Sequence, residues 1–223
     1  METLVANPYH GVPRLPDLPI ATHLETDARE LVLTFDDGPH PDWSGPILDV
    51  LARKQVPATF FLVGHNARNH PDLVRRMAAE GHVLANHTDT HPKLPEIADA
   101  AVDDEIARCQ ETLEALTGRR PSLFRPTYGR YDARVARALD REGLTAVQWS
   151  MMTWDWLAPT VAEALAWHGA QLAPGGISLL HDGANIRRDS REATLAMLPH
   201  LIDQAREAGY TWVALDQRVH QLA

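Results

Sequence analysis

The strongest constraint on the fold is a short alternating run that ends in two adjacent carboxylates. Apolar residues alternate with other residues over positions 31–35, directly before Asp36 and Asp37, which is the pattern of a half-buried β-strand. Gly38 and Pro39 are expected to end this strand, because glycine readily turns the backbone and proline lacks an amide donor. Neighbouring carboxylates repel each other, so they are usually separated by the pleat or relieved by a cation, a guanidinium or a shared proton. A cation at this strand end would need further ligands elsewhere in the chain.

Strand-like and helix-like segments alternate along the rest of the chain. Runs rich in β-branched and other apolar residues predict strands at residues 31–35, 58–63, 82–86, 123–126, 144–149, 177–181 and 210–215. Amphipathic stretches between these runs predict helices, several of them ended by glycine. About seven successive β/α units favour a parallel sheet, either closed as a TIM-like barrel or open and doubly wound.

The chain is predicted to form a single α/β domain. It has 223 residues and no evident internal linker, which is enough for one substantial core. Residues 1–28 contain four prolines and little periodicity. They are therefore predicted as an extended N-terminal arm that precedes a domain of residues 29–223.

Charge and composition narrow the classes of function. The formal net charge of −9 and the lack of a basic stripe argue against nucleic acid as the main partner. No apolar run approaches the length of about 20 residues that spans a bilayer, and Met1 is not followed by a basic segment and an apolar core. As written, the chain is expected to be cytoplasmic, or else an exported protein from which a leader was removed.

Chemically capable side chains cluster just after the predicted strand ends. In a parallel β/α fold the carboxyl ends of all strands open on one face, so residues that are scattered in sequence should converge there. The residues in question are Asp36, Asp37, His87, His91, Arg125, Tyr128, Asp155, Trp156, His181 and Asp182. This face is the predicted site.

The two histidines of the His87–His91 segment are candidate metal ligands. A pair of histidines four residues apart is weak support by itself, since exposed histidines also occur at this spacing by chance. With a carboxylate from a neighbouring strand the pair becomes a two-His, one-Asp site, which leaves positions open for water and substrate and suits zinc or a related divalent ion. One aspartate of the Asp36-Asp37 pair would bind the ion, and the other would act as a general base.

Three other candidates each have a structural alternative. His181 would be a general acid opposite the base, or else a histidine that only caps its strand. Arg125 follows an apolar run and is expected to be partly buried, where it needs a carboxylate such as Asp36; an ordinary structural ion pair would satisfy it equally. Trp156 would stack on a sugar face, or else belong to the core.

Five segments together resemble a known family. Thr34–Gly38, His87–His91, Arg125–Gly129, Asp155–Trp156 and Leu179–His181 resemble, in order, the five motifs of the polysaccharide deacetylase family, the NodB-like carbohydrate esterases. The resemblance runs from about residue 30 to residue 216 and is specific, because all five motifs occur in order. It implies a distorted (β/α)7 barrel that removes N-acetyl, or sometimes O-acetyl, groups from sugars with the help of a metal ion.

The resemblance also implies roles for the residues of the first three motifs. Asp36 is similar to the family's general base, and Arg125 to the residue that orients this base. Asp37, His87 and His91 are similar to the ligands of one divalent ion, for which zinc is expected and cobalt or nickel are the alternatives. The implied partner is an N-acetylated carbohydrate.

The remaining motifs imply an acid and the walls of a pocket. His181 is similar to the family's general acid, and Asp155 to the acidic residue that tunes this histidine. The backbone amide of Tyr128 would help to hold the oxyanion. Trp156 and Leu179 are similar to residues that line the acetyl pocket.

Two residues depart from the family pattern without removing the catalytic core, and the missing export signal is a third and more consequential departure, because many relatives act on cell-wall polymers outside the membrane. Thr127 stands where a second proline is common, and Met152 where many members carry a further acid. Related barrels hydrolyse non-sugar amides, so a ureide, an imide or a formamide is an alternative substrate. The other alternative is a catalytically silent barrel that only binds glycans, although the presence of both Asp36 and His181 argues against it, because binding alone needs neither a base nor an acid.

Overall fold

The computed structural model describes residues 20–183 and 190–215. Residues 1–19, which include all four prolines of the predicted arm, lie outside the described part of the chain. So do residues 184–189 and 216–223.

The described residues form one parallel sheet flanked by helices, consistent with the expected distorted (β/α)7 barrel. The strands are β1 (Glu30–Asp36), β2 (Thr59–Leu62), β3 (Val83–Asn86), β4 (Leu123–Phe124), β5 (Thr145–Ala146), β6 (Met151–Met152), β7 (Gly176–His181) and β8 (Thr211–Val213). Their order across the sheet is β5-β4-β3-β2-β1-β7-β6, and β8 also pairs with β1. All of these pairings are parallel.

Seven α-helices occur among the described residues. They are α1 (Ser44–Lys54), α2 (Gly64–Asn69), α3 (Pro71–Ala79), α4 (Asp99–Thr117), α5 (Ala133–Glu142), α6 (Val161–Gly169) and α7 (Glu192–Glu207). Short 3-10 turns at Leu94–Glu96, Thr127–Gly129 and Asp155–Leu157 follow strand ends or loops on the way to the next helix. No helix in the described ranges is long and apolar enough to cross a membrane.

The central strand, β1, is buried on both faces, so the prediction of a half-buried strand was wrong. Leu31, Leu33 and Phe35 pack into the core cluster that includes residues of α1 and α7. Val32 faces a second cluster with residues of the neighbouring strands. Thr34, between them, satisfies its hydroxyl by donating to the Ser178 carbonyl oxygen at 2.6 Å. A polar residue in the alternating pattern therefore marks an internal hydrogen bond and not contact with solvent.

Residues 20–24 form backbone bridges to the residue after β5 and to β7. Ala21 forms a parallel bridge with Val147, and His23 forms an antiparallel bridge with Gly176. Ala21 and Leu24 are also buried. This first described segment therefore contributes backbone hydrogen bonds and apolar contacts to the barrel wall.

Two elements differ from the sequence prediction. Strand β6 contains only Met151 and Met152, and the short helix α2 buries only Gly64 and Ala67. Neither is long enough to display a clear apolar period. The other predicted strands are present with shifted ends, and their carboxyl ends converge on one face of the sheet.

Candidate active site

The two aspartates at the end of β1 point in different directions because the backbone turns between them. Asp36 is the last residue of the strand, whereas Asp37 has a left-handed φ of 73°. Asn66 on α2 donates to the Asp37 carbonyl oxygen at 2.8 Å. Gly38 allows Asp182 to approach the backbone closely, because a Cβ at this position would lie 2.2 Å from a carboxylate oxygen of Asp182.

The loop after β3 brings two histidine rings to the Asp37 carboxylate. Oδ1 of Asp37 lies 3.0 Å from Nε2 of His91 and 3.5 Å from Nε2 of His87. Nδ1 of His87 lies 2.7 Å from the Arg125 carbonyl oxygen. Since a carbonyl can only accept, Nδ1 donates in this hydrogen bond, which directs Nε2 towards Asp37.

These three side chains fit a divalent ion. One ligand atom from each of Asp37, His87 and His91 lies within 4.8 Å of the others, and all three residues are buried. Burial alone would raise the pKa of Asp37, but hydrogen bonds with the two histidines and the nearby His181 hold it well below its ordinary value. An anionic oxygen beside two imidazole nitrogens is the donor set of an open zinc site with three protein ligands.

Asp36 is held by a buried ion pair instead of by the histidines. Nη1 of Arg125 lies 2.6 Å from Asp36 Oδ1, and the Arg125 side chain is fully buried. The guanidinium also donates to the Thr34 hydroxyl and to the carbonyl oxygens of Val147 and Gln148, and it lies 3.9 Å from the centroid of the Phe61 ring. The charge that Asp36 brings into the barrel is therefore balanced at Oδ1, while Oδ2 lies 3.9 Å from Nε2 of His87.

His181 is anchored by Asp155 at the end of β7. One carboxylate oxygen of Asp155 lies 2.9 Å from His181 Nδ1, while the other accepts from the His181 backbone N–H at 2.8 Å and from the Thr194 hydroxyl at 2.7 Å. Burial alone would lower the pKa of His181, but Asp155, assisted by Asp37 and Asp36, raises it to about 9. The imidazole is therefore positively charged at neutral pH and holds a proton on Nε2.

The pKa of Asp155 is lowered, whereas that of His181 is raised. Burial alone would raise the pKa of Asp155, but His181, Arg191 and the Thr194 hydroxyl together lower it. The carboxylate thus stays charged beside the imidazolium. The pair behaves as one unit in which the aspartate fixes the position and the charge of the histidine.

A small cavity connects these groups. Its volume is about 180 Å³, below the roughly 300–1,000 Å³ of pockets that enclose a drug-sized ligand. Its walls include Trp156, Leu179, Trp149 and Tyr128. A cavity of this size encloses a small group or one part of a larger ligand.

The ten residues to which the family resemblance gives a role fall into two groups, whereas Asp182, also predicted at this face, does not border the cavity. Eight of the ten border the cavity: Asp36, Asp37, His87, His91, Tyr128, Trp156, Leu179 and His181. The other two, Arg125 and Asp155, lie behind it and contact Asp36 and His181.

Sequence reasoning missed several neighbours of these residues. Arg191 is 3% exposed, borders the cavity, and donates from Nε to the Gly183 carbonyl oxygen at 2.6 Å. Thr194 reaches Asp155 from α7, and Ser44 donates to Asp182 at 2.5 Å. Burial raises the pKa of Asp182 to about 7. No local pattern marks these contacts, because each joins residues that are distant in the sequence.

The two residues that depart from the family pattern have specific surroundings. Thr127 donates its hydroxyl to the Pro92 carbonyl oxygen, which ties the turn that carries Tyr128 to the residue after His91. Met152 is buried, and its backbone N–H donates to the Gln171 side chain at 3.0 Å. Neither residue borders the cavity.

Comparison with known sequences identifies close relatives. The family described as Polysaccharide deacetylase matches residues 23–147. The chain is 43% identical over 190 residues to a chitooligosaccharide deacetylase of Rhizobium leguminosarum bv. trifolii, and this alignment covers 79% of the chain and 87% of the relative. It is 34% identical over 191 residues to a peptidoglycan-N-acetylglucosamine deacetylase of Bacillus cereus, which covers 83% of the chain and 66% of that protein.

Comparison with solved structures agrees with the sequence matches. The Bc1960 peptidoglycan N-acetylglucosamine deacetylase, solved in complex with 4-naphthalen-1-yl-N-oxidanyl-benzamide, superposes with a TM-score of 0.86 at 31% sequence identity. The superposition covers 93% of this chain and 95% of that one. The similarity therefore extends over nearly the whole of both chains.

Proposed function

Because this chain belongs to the polysaccharide deacetylase family, we propose that it is a metal-dependent hydrolase that removes the acetyl group from N-acetylglucosamine units. Relatives act on chitooligosaccharide and on peptidoglycan N-acetylglucosamine, which makes these the two substrate classes to test. Both present the same acetamido group on a pyranose ring.

One observation carries the proposal. Oδ1 of Asp37 lies between the Nε2 atoms of two histidines, and the same cavity contains Asp36 and His181. A binding site for a neutral sugar needs neither a buried carboxylate held by a guanidinium nor an imidazolium held by a carboxylate. Hydrolysis can use both, because it must take one proton from water and give one to the leaving amine.

An ion held by Asp37, His87 and His91, for which zinc suits the donor set, would polarise the acetyl carbonyl and lower the pKa of water. Asp36 would accept the proton that water loses as it attacks the acetyl carbon. Arg125 keeps this carboxylate in place, because the two form a buried ion pair at 2.6 Å. The base thus lies beside the metal ligands, with Oδ2 of Asp36 3.9 Å from Nε2 of His87.

The breakdown of the amide needs an oxyanion partner and an acid. The backbone amide of Tyr128 would donate to the oxygen that gains negative charge, since this residue borders the cavity. His181 would then protonate the nitrogen as the carbon–nitrogen bond breaks, which releases acetate and a free amine. Asp155 keeps the imidazole protonated until that step.

The carbon–nitrogen bond to be cleaved would lie between the base and the acid. Trp156 is edge-on to the His181 ring, with ring centroids 5.3 Å apart, and Leu179 forms another wall of the same cavity. Apolar walls beside the acid fit the methyl group of an acetyl and exclude bulk water from the amide. The rest of a glycan chain would extend out of the cavity.

A substrate panel tests this proposal. The zinc-loaded protein is incubated with N-acetylated chitooligosaccharides, peptidoglycan fragments, O-acetylated xylan and a set of non-sugar amides that includes a ureide, a cyclic imide and a formamide. We expect acetate and free amine in equal amounts from one of the first two substrates. Hydrolysis confined to the non-sugar amides, or tight glycan binding without turnover with every metal tried, would overturn it.

A further inference from the structure

The loop that carries the two histidines has an unfavourable backbone conformation. Thr88 and His91 have left-handed φ values of 69° and 61°, a region that residues with a Cβ rarely occupy. Such a loop keeps its shape only where neighbouring groups fix it. The position of His91 relative to His87 therefore depends on what holds residues 87–91.

Every backbone N–H of this loop has an acceptor. Those of Asp89 and Thr90 both donate to Oε2 of Glu105, at 2.9 and 2.7 Å. The remaining three N–H groups, of His87, Thr88 and His91, donate to the Leu62 carbonyl, the Asn86 side chain and the Thr88 hydroxyl. Glu105 is the only carboxylate among these acceptors.

Glu105 makes a third contact with the same loop. The Thr90 hydroxyl donates to Oε1 of Glu105 at 2.6 Å, so both carboxylate oxygens bind the middle of the loop. Glu105 projects from α4, which is anchored in the core through Ile106 and Cys109. A long helix thus holds the loop at the two residues between its histidines.

Helix α2 also holds the loop. The backbone N–H groups of Gly64 and His65 donate to the carbonyl oxygens of Thr88 and Asp89, at 3.0 and 2.8 Å. Arg68 donates to both carboxylate oxygens of Asp89, at 2.6 and 3.0 Å. The approach is close, because a Cβ on Gly64 would lie 2.4 Å from Asp89 Oδ1.

From these contacts we infer that Glu105 is a positioning residue that sets the affinity of the Asp37, His87 and His91 site for its ion; the inference rests on the proposed function. Glu105 does not border the cavity, and it acts on the histidines through the loop backbone. Without it, the loop samples conformations in which the two Nε2 atoms no longer share an ion with Asp37. Residues that orient metal ligands typically change metal affinity by about 10–100-fold when they are replaced.

The test measures metal binding without substrate. Zinc affinity of the full chain, stripped of metal, is determined by competition with a chromogenic chelator for the wild type, Glu105→Ala, Glu105→Gln and Glu111→Ala. Glu111 is an exposed residue of the same helix and serves as the matched control. Thermal unfolding of each metal-free protein shows whether the fold is retained.

We expect Glu105→Ala to weaken zinc binding about 10–100-fold, with a smaller loss for Glu105→Gln, whose side-chain oxygen can still accept from the two backbone N–H groups. The metal-free proteins should unfold at similar temperatures, and Glu111→Ala should bind zinc as the wild type does. Hydrogen exchange at Asp89 and Thr90 should be faster in Glu105→Ala.

Three results would overturn the inference, and the first is distinguishable from the other two. Wild-type protein that binds no divalent ion would overturn the ligand assignment and, with it, this role of Glu105. Wild-type binding with unchanged affinity in both Glu105 variants would overturn the positioning role alone and leave the proposed function standing. A loss of affinity accompanied by an equal loss in Glu111→Ala would also count against it.

Discussion

Asp36 and His181 are register partners at the carboxyl ends of the neighbouring parallel strands β1 and β7. Each has a buried partner of opposite charge, Arg125 for Asp36 and Asp155 for His181. The base proposed at one strand end is thus paired with a cation, and the acid proposed at the other is paired with an anion. The proposed chemistry depends on this difference between two adjacent strand ends.

Replacement of Asp36 by asparagine should abolish turnover and leave metal binding intact. The amide has nearly the same shape and can still accept from Arg125, but it cannot take a proton from water. We expect acetate release to fall by about 10²–10⁴-fold, with an unchanged metal content by elemental analysis. Asp42→Asn, at an exposed position shortly after the same strand, is the control. Loss of the metal in Asp36→Asn would reverse the roles assigned to the two aspartates.

Replacement of Asp37 by alanine should remove the metal itself. Its Oδ1 is the atom that approaches both histidines, and two imidazoles alone are a weak divalent site. Elemental analysis after gel filtration should find the wild type loaded and the variant empty. A variant that retains a full complement of metal would show that Asp37 is not a ligand.

Replacement of Asp155 by asparagine should move the basic limb of the pH–rate profile to lower pH. Asp155 is the group that raises the pKa of His181 to about 9, against the effect of burial, which lowers it. The acid works only while it is protonated, so activity falls as pH rises through this pKa. Without the negative charge of Asp155 the pKa of His181 falls, and the basic limb of the profile moves to lower pH. An unchanged limb in Asp155→Asn, with a reduced rate at every pH, would mean that Asp155 does not tune the acid.

Replacement of Arg125 by glutamine should destabilise the fold as well as the site. Removal of one partner of a fully buried ion pair leaves the other charge uncompensated, which typically costs about 3–5 kcal/mol. Urea unfolding of the metal-free protein measures this loss. Arg108→Gln, which breaks an exposed pair with Asp104, should change the free energy of unfolding by about 0–1 kcal/mol. A similar small effect at Arg125 would contradict the buried pairing.

The parts of the site that the sequence predicts are those with a local pattern. The ends of β1, β3 and β7 are visible as apolar runs followed by polar residues, and parallel topology then brings these ends together. The expected need of Arg125 for a carboxylate is met by Asp36. In each case the expectation follows from the apolar or charged character of the residues in the segment itself.

The parts that the sequence does not predict depend on contacts between distant segments. Glu105 looks like any acidic residue on the polar side of α4, and only the loop that packs against this helix gives it partners. Arg191 follows no strand and carries no motif, yet it is buried at the cavity. Strand β6 has only two residues, which are too few to show an alternation of apolar and polar positions. Tertiary packing decides all three.

The most direct test of the central claim is a zinc titration of the metal-free protein with acetate release as the readout, on whichever N-acetylated glycan the panel identifies. The account predicts no acetate release without metal, a rise in proportion to added zinc, and saturation at one ion per chain, with no response in Asp37→Ala. Acetate release at the full rate after complete removal of metal, or an equal response to zinc in Asp37→Ala, would contradict it.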